Sequence, residues 1–330
     1  MTALWDTSGT AVIKALSAER RAAGSVSSGL ALTLVAVVDE KLVAEAEQAA
    51  TAAAAQHPCR LLVVVRRRPD APEPRLDAEV SVGGRLGPGE AIVMRMYGRL
   101  ALHAESVVLP LLAPDALVVT WWFGEPPHLI AHDPLGVIAD RRITDAAAAA
   151  DPLAALRTRG ADYAPGDTDL AWTRTTLWRS LCASAYDSLS GPARAVTVTG
   201  EPTNPSRSLL AGWLQTRLGV DVAVEDSAGP GVTSVELQVG EDQVRIDRTD
   251  GRTATLSRTG QPDRAMPLPR RDLGDLLAEE LRRLDADETY AEALEHVTGL
   301  SGLSARPSKR THVWQDPMES KDPDPALTTT

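Results

Sequence analysis

The chain has 330 residues, 43% of them hydrophobic, and a formal charge of −11, enough apolar material for two domains of ordinary size. That acidic balance excludes nucleic acid or an anionic membrane surface as the expected partner, since either requires a basic face. Two cysteines are too few for a disulfide framework and fit a reducing compartment; with no charged-then-apolar leader and no membrane-length apolar run, a cytoplasmic protein is expected.

Residues 10–23 read as an amphipathic helix, broken by the Gly- and Ser-rich stretch 24–29. A continuous apolar run over 30–38 predicts a strand buried on both faces. Asp39 is placed to cap the Ala- and Glu-rich helix 40–56, which His57-Pro58 closes. A second buried strand at 60–65 completes a βαβ unit. Arg66-Arg67-Arg68 then reads as a charged strand end entering a loop at Pro69. Leu76, Ala78, Val80 and Val82, followed by Ile92, Met94 and Met96, alternate about the Gly-Pro-Gly at 87–89 and predict a hairpin with one wet face.

Residues 100–112 begin as a short helix, and 117–122 form a strand ending in Trp121-Trp122. The Pro-rich loop 123–135 has the length of a functional loop. After the alanines at 146–150 the chain turns at 163–166, and a helix is expected from Asp169 to Tyr186. A second α/β set follows: a strand at 195–198, a helix at 206–218, and short alternating strands at 220–225, 232–239, 243–248 and 253–258. Helix 271–284 carries Leu273, Leu276, Leu277, Leu281 and Leu284 on one side, and a last helix covers 288–297. Beyond 299 the composition is aperiodic Ser, Pro, Lys, Asp and Thr. The expected architecture is α/β, with mixed sheets and flanking helices: an N-terminal domain over 1–160, a C-terminal domain over 161–298 and a disordered tail over 299–330.

Several chemistries lack their residues. The turn after the first strand, Val38-Asp39-Glu40-Lys41, has no glycine to admit a pyrophosphate and two acids to repel it, so no dinucleotide cofactor is expected. There is no phosphate-cradling loop closed by Lys-Ser or Lys-Thr, and Gly83 to Gly89 is better explained as a hairpin connection. No Gly-x-Ser-x-Gly elbow occurs. His57, His103, His128, His132, His296 and His312 are scattered without ligand spacing, so no metal site is expected; His128, His132 and Asp133 belong to a surface loop. Asp167 with Asp169 suits a helix N-terminus, and Glu279 with Glu280 falls on the polar side of helix 271–284, so neither pair is assigned catalysis.

The densest signal lies from Gly166 to Arg179. Asp169 is an N-cap candidate with Asp167 beside it; Trp172 and Arg179 share a helical face, and Arg174 and Trp178 stand at i, i+4, where a guanidinium can lie over an indole. One assignment makes Leu170, Leu177, Trp178 and Leu181 an ordinary buried stripe with solvated arginines. The other makes the segment a contact surface, since Trp and Arg concentrate at the centres of interfaces.

His57-Pro58-Cys59-Arg60, Trp121-Trp122, Asp151-Pro152-Leu153, the block from Gly166 to Trp172 with Arg174 and Trp178-Arg179, and the block from Leu277 to Asp285 occur in this order. In them the chain resembles the OpcA family of glucose-6-phosphate dehydrogenase assembly proteins of actinobacteria and cyanobacteria, over about residues 8 to 297. The resemblance implies a non-catalytic partner of glucose-6-phosphate dehydrogenase that promotes its active oligomer at the entry to the oxidative pentose phosphate pathway. On that basis Trp172, Arg174, Trp178, Arg179, Asp167, Asp169, Trp121 and Trp122 are the expected partner-binding residues. Thiol signalling, a theme of cyanobacterial relatives, would fall to Cys59 or Cys182, which read instead as small core residues. The rival expectation is a sugar-phosphate-binding enzyme or sensor that uses Arg60, Arg66, Arg174 or Arg179 as phosphate clamps.

Overall fold

A computed structural model describes residues 1–24, 30–83, 89–248 and 250–313. The first sheet contains β1 (Thr2–Leu4), β2 (Leu32–Val38), β3 (Cys59–Arg66), β4 (Arg75–Val82), β5 (Glu90–Tyr97), β6 (Leu117–Phe123), β7 (Arg141–Thr144) and β8 (Asp167–Asp169). Its order is β1-β4-β5-β3-β2-β6-β7-β8. From β5 to β8 every neighbouring pair is parallel, and β4 and β1 add antiparallel strands at one edge. Counted along the chain, the six parallel strands follow the order 3-2-1-4-5-6 of doubly wound dinucleotide-binding sheets, with the winding reversing between β2 and β6.

Helix α1 (Gly9–Ala22) and the short helices α3 (Arg99–Leu102), α4 (Glu105–Val108) and α5 (Pro134–Val137) are joined by α2 (Val43–Ala54) and α6 (Pro152–Asp162). The apolar runs of β2 and β3 are buried on both faces because α2 covers one side and α1 with α3 and α4 the other. Asp39 makes no side-chain cap; a 3-10 turn, Glu40–Leu42, precedes α2. The predicted hairpin pairs as expected, but its wet face is corrected. Strand β5 sits between β4 and β3, so Ile92 and Met94 face one core while Ala91 and Val93 face the other. The Gly83 to Gly89 connection lies mostly outside the described residues.

Beyond β8 come α7 (Leu170–Thr173), α8 (Thr176–Asp187), β9 (Ala193–Gly200), α9 (Pro205–Leu218), β10 (Val222–Asp226), β11 (Val232–Val239), β12 (Asp242–Asp247), β13 (Thr253–Arg258), β14 (Gln261–Pro267), α10 (Leu273–Arg282) and α11 (Glu288–Thr298). The second sheet has the order β10-β9-β11-β12-β13-β14, with one face packed on α8 and α9.

The two sheets share elements across the expected boundary at 160. Strand β8 belongs to the first sheet, and the leucines of α10 return to that sheet, packing on the alanine face of α2. Past 299 the described residues still pack on the fold. Leu303 is fully buried, and Arg310 pairs with Asp162 and Asp167; residues 314–330 lie outside the described set. No helix among the described residues is long and apolar enough to cross a membrane.

Close helix approaches are set by glycine. A Cβ at Gly212 in α9 would lie 2.8 Å from the carbonyl oxygen of Ala293 in α11, and backbone cannot yield as a flexible side chain can. Gly212→Val is expected to destabilise the fold by about 1–3 kcal/mol, seen as a lowered midpoint in thermal unfolding.

Candidate functional site

Asp169 ends β8 and caps α7. Its carboxylate accepts the N–H of Ala171 at 2.9 Å and of Ala146 at 2.9 Å, and the Thr144 hydroxyl at 2.7 Å. The expected single helix is broken at Arg174 and Thr175, where the Thr175 hydroxyl donates to the Trp172 carbonyl at 2.7 Å. This break sends the two tryptophans into different cores. Trp172 packs among Leu156, Tyr163, Leu209 and Tyr290, whereas Trp178 joins Cys182, Val196 and Leu237 under the second sheet.

The contact-surface assignment is therefore corrected for most of its members. Trp172 is 1% exposed, Trp178 2%, Trp121 0%, Trp122 1% and Asp169 0%. Trp121 packs with α2 and α10, and Trp122 lies against Gly136 of α5. The indole of Trp172 donates to Asp287 at 2.8 Å, so its polar edge is also satisfied inside. Leu177 and Leu181, expected in a buried stripe, are only partly covered. The predicted face shared by Trp172 and Arg179 is real: the guanidinium lies 3.7 Å from the indole centroid, and burial pushes it down to about 10. The expected stacking of Arg174 on Trp178 is not found. Arg174 instead grips Asp145 with two bonds of 2.7 Å, and Arg248 lies over Trp178 at 5.0 Å.

These residues form a junction of charges between the sheets. Arg141 of β7 pairs with Glu280 of α10 and donates to the Asp285 carbonyl at 2.5 Å. Glu280 also accepts the Thr173 hydroxyl at 2.6 Å, and Glu279 holds Thr176 at 2.8 Å and Arg271. Arg142 pairs with Asp167, which Arg310 reaches as well. The expected polar-side position of Glu280 is corrected: it is 4% exposed. Sequence reasoning missed Arg141, Arg142, Asp145 and Asp287 altogether. The signal available for the first two was an Arg-Arg pair beside the apolar Ile143.

The four arginines of the rival clamp are engaged within the protein. Arg60 pairs with Glu90 at 2.8 Å and Arg66 holds Asp133 through bonds of 2.7 and 2.8 Å; Arg174 and Arg179 are occupied as above. Cys59 and Cys182 are buried, and burial pushes both thiols up to about 12, which leaves little thiolate for exchange. At the winding reversal, Glu40 takes Arg95 at 2.9 Å and lies 3.8 Å from Arg67, so the first turn after β2 is a glycine-free corner whose acid is already paired.

Glu280→Ala strands Arg141 without its partner and is expected to cost about 3–5 kcal/mol. Glu292→Ala, which breaks a pair with Arg217 whose side chains are 46% and 40% exposed, is expected to cost no more than about 1 kcal/mol; urea unfolding compares the two. Asp169 supplies a pH signature, because burial and then the charge of Asp145 push its carboxyl from 3.8 up to about 6. Between about pH 4 and about pH 6 the folded chain keeps a proton that the unfolded chain has released, so this group's stability is full below the window and lost as pH rises through it. Asp169→Asn, whose amide can still accept from Ala171 and donate to Thr144, is expected to remove that slope in denaturant midpoints measured across the window.

Residues 50–161 match the family model described as glucose-6-phosphate dehydrogenase subunit N-terminal domain, and residues 165–294 match that of the C-terminal domain. No curated protein matches the chain significantly. Among solved structures, an oxidoreductase from Sinorhizobium meliloti is similar with a TM-score of 0.48 and 9% identity, covering 86% of this chain and 99% of that one. The two family matches meet between α6 and β8 and together cover residues from both sheets, and the chain belongs to the OpcA family of glucose-6-phosphate dehydrogenase assembly proteins.

Proposed function

We infer that the chain is a non-catalytic subunit of glucose-6-phosphate dehydrogenase that favours its active oligomer and raises its activity, at the entry to the oxidative pentose phosphate pathway. The observation that carries this reading, beyond family membership, is the corner at the winding reversal. In a sheet of this order a dinucleotide rests its pyrophosphate on a glycine-rich turn at a helix N-terminus. Here the turn is Asp39-Glu40-Lys41, a 3-10 turn delays α2 to Val43, and Glu40 is held by Arg95. A dehydrogenase-like strand order without that turn supports a scaffold.

Activation follows as a population shift. The subunit binds the active form of the dehydrogenase better than the inactive one, and the activation can be no larger than that ratio of affinities. Trp172, Trp178, Trp121, Trp122 and Asp169 act on the partner through the shape of the junction they hold. Arg174, with 34% of its side chain exposed, and the partly exposed Arg179 and Asp167 are the members of the expected set that reach the surface.

Mixing the purified chain with its cognate dehydrogenase tests the proposal, with rate and mass followed together by kinetics and light scattering. The dehydrogenase is expected to gain mass and specific activity with saturable dependence on the added chain. No change in either quantity overturns the proposal.

A further inference from the structure

A pocket of about 280 Å³ opens between the α7–α8 junction, the first turn of α9, β11 and the segment leading into α10. Its wall carries Arg174, Arg248, Arg270 and Arg271, a concentration of cations unexpected in a chain of net charge −11. Two of the four are neutralised, Arg174 by Asp145 and Arg271 by Glu279. The other two have no carboxylate in salt-bridge reach among the described residues. Arg248 donates to the carbonyls of Val232 at 3.0 Å and Leu268 at 3.5 Å, and Arg270 to that of Pro230.

Holding two such groups together is unfavourable. Burial, with the repulsion of Arg270, pushes the Arg248 guanidinium down to about 10. The acid in the same wall, Glu201, accepts the N–H of Gly231 at 3.2 Å, and Asp250 acts on Arg248 only from farther away. Arg248 is nevertheless fixed in orientation, lying on the ring of Trp178. Planar guanidinium forks match the oxygens of a phosphoryl group two at a time. The first turn of α9, a helix of 14 residues capped by Asn204, adds the positive end of its dipole. Trp178, Val232 and Leu276 supply apolar wall beside the cations. The volume sits just under the range of about 300–1,000 Å³ usual for ligand sites, which suits a small metabolite and not a dinucleotide.

We propose that this pocket binds a small phosphate monoester, its phosphoryl oxygens held between Arg248 and Arg270 and its organic part against Trp178 and Val232. Binding is a property of the chain alone and does not rest on its partnership with the dehydrogenase. The test is calorimetric titration of the full chain with glycerol 3-phosphate, with glycerol and sulfate as controls at matched ionic strength.

One saturable site for glycerol 3-phosphate is expected, with weaker binding of sulfate and none of glycerol. Arg270→Ala, at an exposed position, should weaken the site at least about tenfold without changing the unfolding midpoint. Arg248→Lys keeps the charge but loses the fork, and should weaken it as well. Absence of a saturable heat overturns the proposal, as does equal affinity of wild type and Arg270→Ala, which would mean an adventitious ion only. If no small anion binds while Arg270→Ala loses association with the dehydrogenase, the pocket belongs to an acidic side chain of that partner and the proposal fails.

Discussion

A guanidinium taken out of water is costly unless fixed partners replace the lost hydration, and Arg141, its side chain 1% exposed, meets the Glu280 side chain, 5% exposed, across the gap between β7 and α10. The pair sets the rest of the arrangement. Glu280 also takes the Thr173 hydroxyl, which holds α7 in place, and α10 can reach Arg141 only by lying on the alanines of α2. The first sheet, the α7–α8 break and the helix returning from the second sheet are thereby tied at one point. A buried pair of this kind is weak evidence of net stability against an apolar replacement, but its geometry admits one register. Its neighbours repeat the pattern, Asp145 with Arg174, Asp167 with Arg142, and Asp287 with Trp172.

That junction changes what the tryptophans mean. Trp and Arg gathered in one stretch have the composition of an interface centre, and composition does not distinguish an interface between chains from one between two sheets of one chain. Here the second is realised: Trp172 and Trp178 fill two separate cores on either side of a helix break, with Arg179 stacked on one and Arg248 on the other.

The strand order carries a second lesson. A doubly wound sheet places its crevice where the winding reverses, whatever residues fill it. In this chain the corner after β2 has no glycine and its Glu40 is held by Arg95, while Arg248 and Arg270, with no carboxylate in salt-bridge reach among the described residues, stand beside the second sheet and face the pocket. The first place lacks the glycine turn of a dinucleotide site, and the cations at the other favour an oxyanion.

Residues read locally were enough for the βαβ unit, because the apolar runs of β2 and β3 and the alanine-rich α2 declare strand and helix within a few positions. They were enough for the Asp169 cap, for the leucine face of α10, for the glycine-free turn and for the family resemblance. They were not enough for the insertion of β5 into the sheet, for β7 with its buried Arg141 and Arg142, or for the exposure of the tryptophans. Each of those depends on what arrives from the far side: Glu280 lies 139 positions from Arg141, and Asp287 lies 115 positions from Trp172. A side chain's periodicity fixes which face it occupies, but only the element packed on that face decides whether it is core or surface, and in this chain tertiary structure brings that element from the other end of the sequence.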